Sequence, residues 1–324
     1  MKNFWEKLRK PIIALAPMAG ITDAAFRIIC KDFGADVIYT EFASTDALVH
    51  ESKKTFEMLS FDPKEQPVVC QIFGKDPEMY YKSAQVVERL GFSGIDINFG
   101  CPAYKVVKHG GGVSLMRDPK KAAELVQATC EGAKNIPVSL KLRASICQKG
   151  ADPKDPANHV TALDMIEAVK HLPVAAVMVH GRSYEKPFDG EPNTNMIKEV
   201  KKAFGGITIA NGGVYTPENA KKLLEETEAD GIGLARGVRG SPWLFKQVKD
   251  YFETGSYKEF SWEDKKTFAI KHAKAALKAK GDWGIIEMRK HLAWYVHGVP
   301  GASMLRAKLV RVNTLEDIES ILNK

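Results

Sequence analysis

The sequence predicts an α/β protein, namely a (β/α)8 TIM barrel followed by a small all-helical domain. Eight short apolar runs recur at intervals of roughly 25 to 45 residues, with helical stretches between them. The runs are apolar almost throughout, which is typical of parallel strands covered on both faces. Eight such units over about 235 residues match the size of a TIM barrel. We therefore predict a barrel domain over residues 1–245 and a helical domain over residues 246–324.

The predicted strands are bounded by Gly, Pro or polar residues, as strand ends usually are. They cover residues 12–16, 37–40, 68–73, 94–98, 138–142, 175–180, 207–211 and 231–235. Among the helices, those predicted over 77–90, 119–133 and 217–227 begin with Pro after Asp76, Asp118 and Thr216, which are suitable N-caps. The rival, a doubly wound sheet, usually has a glycine-rich dinucleotide loop after its first strand. Here that strand is followed by Pro17-Met-Ala-Gly20.

Composition excludes a disordered or fibrous protein, because 44% of the 324 residues are hydrophobic and 27% are charged. The net charge is +7, and residues 265–311 alone carry +9. Such an excess indicates a polyanion partner, although a solvated lysine-rich helix face would explain it equally well. Lys271, Lys274 and Lys278 share one helix face and are the candidate contacts.

Cysteine usage and hydropathy indicate a cytoplasmic protein. The five cysteines are odd in number and include no CxxC pair, so we expect reduced thiols and neither a disulfide framework nor a zinc site. No apolar run approaches the roughly 20 residues that span a membrane. The first ten residues contain no apolar signal core. We expect no membrane, metal or obligate protein partner.

Polar groups follow seven of the eight predicted strands, at the barrel end where such folds carry their chemistry. Singly, each has a structural explanation: His180 could be a core histidine and Lys141 a solvent-facing lysine. Their convergence favours an active site. The strand-end residues are Pro17, Met18, Glu41, Gln71, Asn98, Cys101, Lys141, Arg143, His180, Arg182, Asn211, Gly212, Gly213, Ala235 and Arg236.

Two glycine-containing turns predict a phosphate site. Asn211-Gly212-Gly213 and Ala235-Arg236-Gly237 follow strands seven and eight, where barrels commonly bind phosphate through backbone amides. Arg236 could add a charge-assisted contact. The alternative is ordinary left-handed turns, which glycine also favours.

The loop after the fourth strand carries the candidate reactive group. Cys101 lies in a Gly-Cys-Pro turn at a strand end, so we expect it to be partly exposed and able to act as a nucleophile or a proton donor. Lys105, Lys108 and His109 add positive charge at the mouth of the site. Taken alone, the run of three glycines that follows predicts a flexible surface loop.

The strand-end segments closely resemble those of the tRNA-dihydrouridine synthases, and the bacterial branch looks nearest. One of them is Asp96-Ile-Asn-Phe-Gly-Cys-Pro102, whose Asn-x-Gly-Cys-Pro part is the most specific. The others are Leu15-Ala-Pro-Met-Ala-Gly-Ile-Thr-Asp23, Gln71-Ile-Phe-Gly74, Leu140-Lys-Leu-Arg143, Val179-His-Gly-Arg182, Ile209-Ala-Asn-Gly-Gly213 and Ala235-Arg-Gly237.

The resemblance implies an FMN enzyme, reduced by NADPH, that converts uridine in tRNA to dihydrouridine. Hydride would pass from flavin N5 to uracil C6, and Cys101 would protonate C5. Lys141 would stabilise the reduced flavin ring. The residues implied to hold FMN are Pro17, Met18, Ala19, Gln71, Lys141, His180, Asn211, Gly212, Gly213, Ala235 and Arg236. Asn98 and Arg143 would face the uracil edge, and the tRNA contacts would be Lys105, Lys108, Arg182, Lys271, Lys274 and Lys278.

Two departures from the family pattern stand out. Ala235 replaces a usual glycine, which a backbone contact tolerates, and residues 186–194 differ from the usual Gln-x-Tyr-x-Gly-x-Ala-Asp-Trp run. The second departure puts the RNA contacts and the target position in doubt. Two other functions stay open: an FMN barrel oxidoreductase that acts on a free pyrimidine, and a catalytically inactive tRNA-binding protein.

Overall fold

The strands form a closed parallel barrel. The computed structural model describes residues 3–323; Met1, Lys2 and Lys324, which the predicted domain ranges include, lie outside it. The strands are β1 (Ile12–Leu15), β2 (Val37–Tyr39), β3 (Ala43–Ser44), β4 (Val68–Phe73), β5 (Gly94–Phe99), β6 (Val138–Arg143), β7 (Ser145–Cys147), β8 (His159–Thr161), β9 (Val174–His180), β10 (Ile207–Asn211) and β11 (Gly231–Leu234). The barrel order is β2-β1-β11-β10-β9-β6-β5-β4, and β2 also pairs with β4, which closes it.

Helices surround this barrel and then continue beyond it. They are α1 (Ala24–Asp32), α2 (Thr45–Val49), α3 (Lys53–Leu59), α4 (Pro77–Arg89), α5 (Tyr104–Lys108), α6 (Pro119–Gly132), α7 (Ala162–Val169), α8 (Thr194–Phe204), α9 (Pro217–Thr227), α10 (Leu244–Thr254), α11 (Trp262–Lys280), α12 (Asp282–Tyr295), α13 (Ala302–Leu309) and α14 (Leu315–Leu322). Short 3-10 turns cover Phe4–Lys7, Pro63–Glu65, Gly112–Arg117, Pro156–Asn158 and Arg236–Val238. No helix within residues 3–323 is long and apolar enough to cross a membrane.

The predicted barrel is confirmed, and each of its eight strands agrees with the prediction to within one residue at either end. The three predicted helix starts are also confirmed. Asp76, Asp118 and Thr216 each accept a hydrogen bond from a backbone N–H in the first turn of the helix that follows. These caps satisfy donors that the helix itself cannot.

Alternation along the strands separates two layers of side chains. In β5, Ile95 and Ile97 belong to the large apolar cluster that includes the surrounding helices. Their neighbours Asp96 and Asn98 face the barrel interior, because successive residues of a strand point to opposite faces. The lower interior is apolar, with Ala14 among its members. The polar residues therefore lie above an apolar floor, at the carboxyl ends of the strands.

The C-terminal helices α11–α14 form a second apolar cluster that includes Ala273 and Leu292. The expected boundary at residue 246 falls inside α10, whose Leu244, Phe245 and Val248 belong to the barrel cluster. This packing places the whole of α10 with the barrel. The division of the chain into two domains stays a prediction, and the packing favours a boundary after Thr254.

Candidate active site

A cavity of about 520 Å³ opens at the carboxyl ends of the barrel strands. Its volume lies within the range of ligand pockets. Its walls include every residue that the family resemblance implies for the cofactor, namely Pro17, Met18, Ala19, Gln71, Lys141, His180, Asn211, Gly212, Gly213, Ala235 and Arg236. Cys101, Asn98, Arg143 and Arg182 also line it. The fold thus brings together in one cavity groups from all parts of the barrel sequence.

One wall of the cavity is built so that backbone can approach a ligand. Gly212 and Gly213 have φ angles of +120° and +75°, a region that favours glycine. A Cβ on Gly237 would lie 2.2 Å from the carbonyl oxygen of Val214, so that turn also requires glycine. The Arg236 guanidinium lies beside this wall, 5.1 Å from the ring centre of Phe188. Exposed amides with an adjacent guanidinium suit an anion such as phosphate.

A half-buried cation lies on the cavity wall. The Lys141 Nζ is 3.4 Å from the Asn211 Oδ1, and Asn211 in turn donates to the Gly233 carbonyl at 2.6 Å. Burial, together with the charge of Arg143, lowers the pKa of Lys141 to about 8. The ammonium is therefore mostly charged at neutral pH, and its weak contact with Asn211 leaves it able to bind a ligand.

His180 lies beside this cation in its neutral form. Burial and the nearby positive charges of Lys141 and Arg143 lower the pKa of His180 to about 2. The Arg182 Nη1 lies 3.4 Å from the His180 Nε2. Since a guanidinium only donates, Nε2 acts as the acceptor and Nδ1 carries the ring proton. His180 is thus a neutral ring that lines the cavity and can donate a hydrogen bond only through Nδ1.

The Cys101 turn is held from below. The Asn98 Oδ1 accepts the N–H groups of Gly100 and Cys101 at 3.1 and 2.9 Å. The Cys101 carbonyl accepts the Val113 N–H at 3.2 Å. Gly112 has φ +60°, and a Cβ there would lie 2.8 Å from that carbonyl oxygen. Because Gly112 is buried against the turn, the expectation of a flexible surface loop is wrong at this end of the glycine run.

The Cys101 thiol is half-buried and protonated at neutral pH. Burial raises its pKa, while the Ala103 backbone N–H and the charges of Arg143 and Lys141 act in the opposite direction. Arg143 itself donates to the carbonyls of Gly100 at 2.8 Å and Ser183 at 3.1 Å. It therefore joins the Cys101 turn to the loop after β9.

The predicted substrate contacts are distributed more widely. Lys105 and Lys108 are exposed on α5 next to Cys101 but do not line the cavity. Lys271 forms an ion pair with Asp32 at 2.7 Å and Lys274 with Glu319 at 2.9 Å. Lys278 is exposed and has no ion-pair partner in the described part of the chain. Two of the three α11 lysines predicted as tRNA contacts thus already have acidic partners.

Several residues of the site were missed. Phe188 and Tyr215 line the cavity with more than half of each side chain exposed. Arg239 lies 4.9 Å from the ring centre of Trp294, which links the cavity to α12. Asp96 lies below the cavity and accepts a hydrogen bond from Gln71. Its signal was present in the sequence, as a charged residue two positions before Asn98 in an otherwise apolar strand.

Comparison with known proteins identifies the family that the chain resembles and confirms the barrel fold. The family model described as dihydrouridine synthase matches residues 14–323. The chain is 34% identical to tRNA-dihydrouridine synthase B of Pseudomonas aeruginosa over 95% of its own length and 90% of the relative's. It is 31% identical to a probable tRNA-dihydrouridine synthase 1 of Synechocystis sp., over 95% and 84% of the two lengths. Among solved structures, morphinone reductase in complex with tetrahydroNAD superposes with a TM-score of 0.54 at 14% identity, over 79% of this chain and 90% of the other. That last likeness shows a shared barrel fold.

Proposed function

The chain belongs to the dihydrouridine synthase family, and we propose that it reduces the C5–C6 double bond of a uridine in tRNA to dihydrouridine. Family membership makes it a flavin-dependent oxidoreductase. We propose FMN as the flavin, NADPH as the reductant and the cytoplasm as the location. The names of the two relatives support tRNA as the substrate. The observation that carries the proposal is the single cavity that combines a glycine-lined wall, the Lys141 cation and the Cys101 thiol.

The residues present fit FMN. The positive φ angles of Gly212 and Gly213 and the close packing at Gly237 require glycine at these turns, whose backbone we propose approaches the phosphate. Arg236 would pair with that phosphate. Lys141, as a half-buried cation on the cavity wall, would attract the negative charge of a reduced flavin ring, and neutral His180 would donate a hydrogen bond to the cofactor. The remaining contacts expected from the sequence lie on the same walls.

When bound, the reduced flavin supplies the hydride that is added to uracil C6. The chain's own contribution is the proton for C5, which we assign to Cys101. Burial keeps this thiol protonated at neutral pH, so the proton is available when C5 becomes basic. The thiolate that remains is close enough to Lys141 and Arg143 to be stabilised by their charges. Because Cys101 is only half-buried, solvent can reprotonate it.

A tRNA base can reach this cavity only outside the helical stack, because the walls enclose the reactive groups at the end of the barrel. The exposed lysines 105 and 108 beside Cys101, and Lys278 on α11, are suitably placed for backbone phosphates. We retain Asn98, Arg143 and Arg182 as proposed contacts of the uracil or its nucleotide. Each of them already hydrogen-bonds within the protein, so their free donors are few.

Substitution of Cys101 tests the function, with Cys130 as a matched control. Cys130 is also half-buried, but it lies on α6 away from the cavity. We expect Cys101→Ala to retain the visible absorbance of flavin and to lower dihydrouridine formation by about 10²- to 10⁴-fold, the usual contribution of a general acid. Cys130→Ala is expected to behave as the wild type. Equal product yields from both variants on tRNA lacking dihydrouridine would exclude the assignment.

The same assay separates the two other functions. Reduction of free uridine or orotate without any reaction on tRNA would identify an oxidoreductase of free pyrimidines. A protein that binds tRNA but cannot be reconstituted with FMN would be an inactive binding protein. The charged surface outside the cavity favours the tRNA enzyme over the first of these, since a free pyrimidine needs no phosphate contacts.

A further inference from the structure

The barrel interior holds a buried carboxylate that the proposed chemistry does not use. Asp96 is fully buried, yet both of its oxygens accept hydrogen bonds. The Ser139 Oγ donates to Oδ1 at 2.8 Å, and the Gln71 Nε2 donates to Oδ2 at 2.7 Å. Burial raises the pKa of Asp96 to about 6, so the carboxylate form has a cost that an apolar residue would avoid. Because burying this carboxylate costs free energy, we expect its hydrogen bonds to serve a structural role.

Hydrogen bonds run from this carboxylate to the reactive cysteine without a break. The Asn98 Nδ2 donates to the Gln71 Oε1 at 3.0 Å. The Asn98 Oδ1 accepts the Cys101 N–H at 2.9 Å. Gln71 and Asn98 are both buried, so water does not compete for these groups. This chain of hydrogen bonds therefore connects Asp96, below the cavity, to the Cys101 backbone.

The carboxylate sets the direction of every bond in this chain. A carboxylate only accepts, so the Gln71 side chain must turn its NH2 group toward Asp96 and its oxygen toward Asn98. Asn98 must then present its NH2 group to Gln71, which leaves its oxygen for the amide of Cys101. If Gln71 were reversed, Asn98 would reverse as well, and its NH2 group would face backbone N–H donors. That arrangement cannot hold the turn.

We propose that Asp96 is a positioning residue that acts through Gln71 and Asn98 to fix the turn carrying Cys101. This inference rests on the proposed function only for the role of the thiol; the hydrogen-bond chain itself is independent of it. Its value for catalysis would be geometric, because a displacement of about 1 Å at a reacting group can lower a rate by about 10²-fold.

Hydrogen exchange of the Cys101 amide tests the proposal directly. Protein labelled with 15N-cysteine, purified with whatever flavin it retains, gives signals for the five cysteine amides, four of which serve as internal references. In Asp96→Asn, whose side-chain amide permits either orientation of Gln71, we expect Cys101 exchange to accelerate by about tenfold, as for the loss of one hydrogen bond. The reference amides should not change. Ser139→Ala, which removes the other partner of the same carboxylate, should leave Cys101 exchange unaltered.

The outcomes distinguish a specific effect of this hydrogen-bond chain on Cys101 from a general destabilisation of the fold. Acceleration at all cysteine amides, or equal acceleration in Ser139→Ala, would overturn the proposal, and so would unchanged Cys101 exchange in Asp96→Asn. If Asp96→Asn does not fold, Gln71→Met breaks the same chain of hydrogen bonds at the next residue. A Cys101 amide that stays protected in that variant would likewise overturn the proposal. Dihydrouridine formation by the wild type is measured separately. A negative exchange result together with an active wild type would therefore overturn the role of Asp96 but not the proposed function.

Discussion

The link between the cavity loop and the C-terminal helices rests on Lys280, and its removal has a predictable effect. The Lys280 Nζ at the end of α11 lies 2.7 Å from the Asp23 Oδ2 and also contacts Glu287 on α12. Asp23 ends the loop that follows β1 and caps α1 through the Phe26 N–H at 2.9 Å. Lys280→Met removes the cation and leaves two carboxylates close together, one of them buried.

The magnitude follows from the pKa of Asp23. Burial alone would raise that pKa, but Lys280 more than offsets it, and the result is about 2 against an ordinary 3.8. At about 1.4 kcal/mol per pH unit, the charged form is stabilised in the folded protein by about 2 kcal/mol. Because burial still raises the pKa of Asp23 once Lys280 is gone, we expect Lys280→Met to lower the free energy of unfolding by at least about 2 kcal/mol at neutral pH. Because the folded pKa is depressed, this contribution is complete above about pH 4 and is lost as the pH falls toward 2.

Urea denaturation followed by tryptophan fluorescence provides the assay, with Lys82→Met as the control. Lys82 pairs with Glu78 on the surface of α4, and such pairs contribute only about 0.5 kcal/mol or less. The two variants should therefore differ clearly at neutral pH, and the deficit of Lys280→Met should shrink below about pH 4. A deficit no larger than that of Lys82→Met, or one that persists in acid, would refute the reasoning.

Three further predictions concern the cavity and its surroundings. Gly212→Ala strains a backbone at φ +120° and places a Cβ 2.9 Å from the His180 ring, so flavin retained after gel filtration should fall sharply; full retention would contradict the phosphate cradle. Lys141→Met removes the cation on the cavity wall, and spectroelectrochemical titration should show a midpoint potential lower by about 30 mV or more, or about 1.4 kcal/mol for two electrons. Lys278→Ala should reduce the slope of log K for tRNA against log salt by about one. Lys271→Ala, whose lysine is already paired, should change that slope less, and the reverse order would contradict the assignment.

Sequence patterns were sufficient to predict the features that depend on residues close together in the chain. The apolar pattern that predicts each barrel strand lies within a few positions. Asp76 likewise caps α4 by accepting a hydrogen bond from the N–H of Glu78, two residues away. The cavity residues followed because parallel strands all end at the same rim of the barrel. The Cys101 turn is likewise local, since Asn98 is only three residues away.

Determinants that are distant in sequence could not be predicted in this way. Asp32 and Glu319 neutralise Lys271 and Lys274 from α1 and α14, and no pattern around α11 identifies them. The glycine run illustrates the same limit. Its composition suggests flexibility, whereas the close approach of Gly112 to the Cys101 carbonyl is a tertiary contact.

The pairing of these lysines changes how the positive charge of residues 265–311 is interpreted. A phosphate that binds at Lys271 or Lys274 must displace a carboxylate, so the gain from the new contact is offset by the ion pair that is lost. Basic side chains without an acidic partner among residues 3–323 carry no such cost. Within residues 265–311 these are Lys265, Lys278, Arg289, Lys290, Arg306, Lys308 and Arg311. Since all but Lys265 and Lys278 follow α11, we propose that the tRNA surface lies on α12 and α13 and the turn after them, with Arg239 and Trp294 connecting it to the cavity.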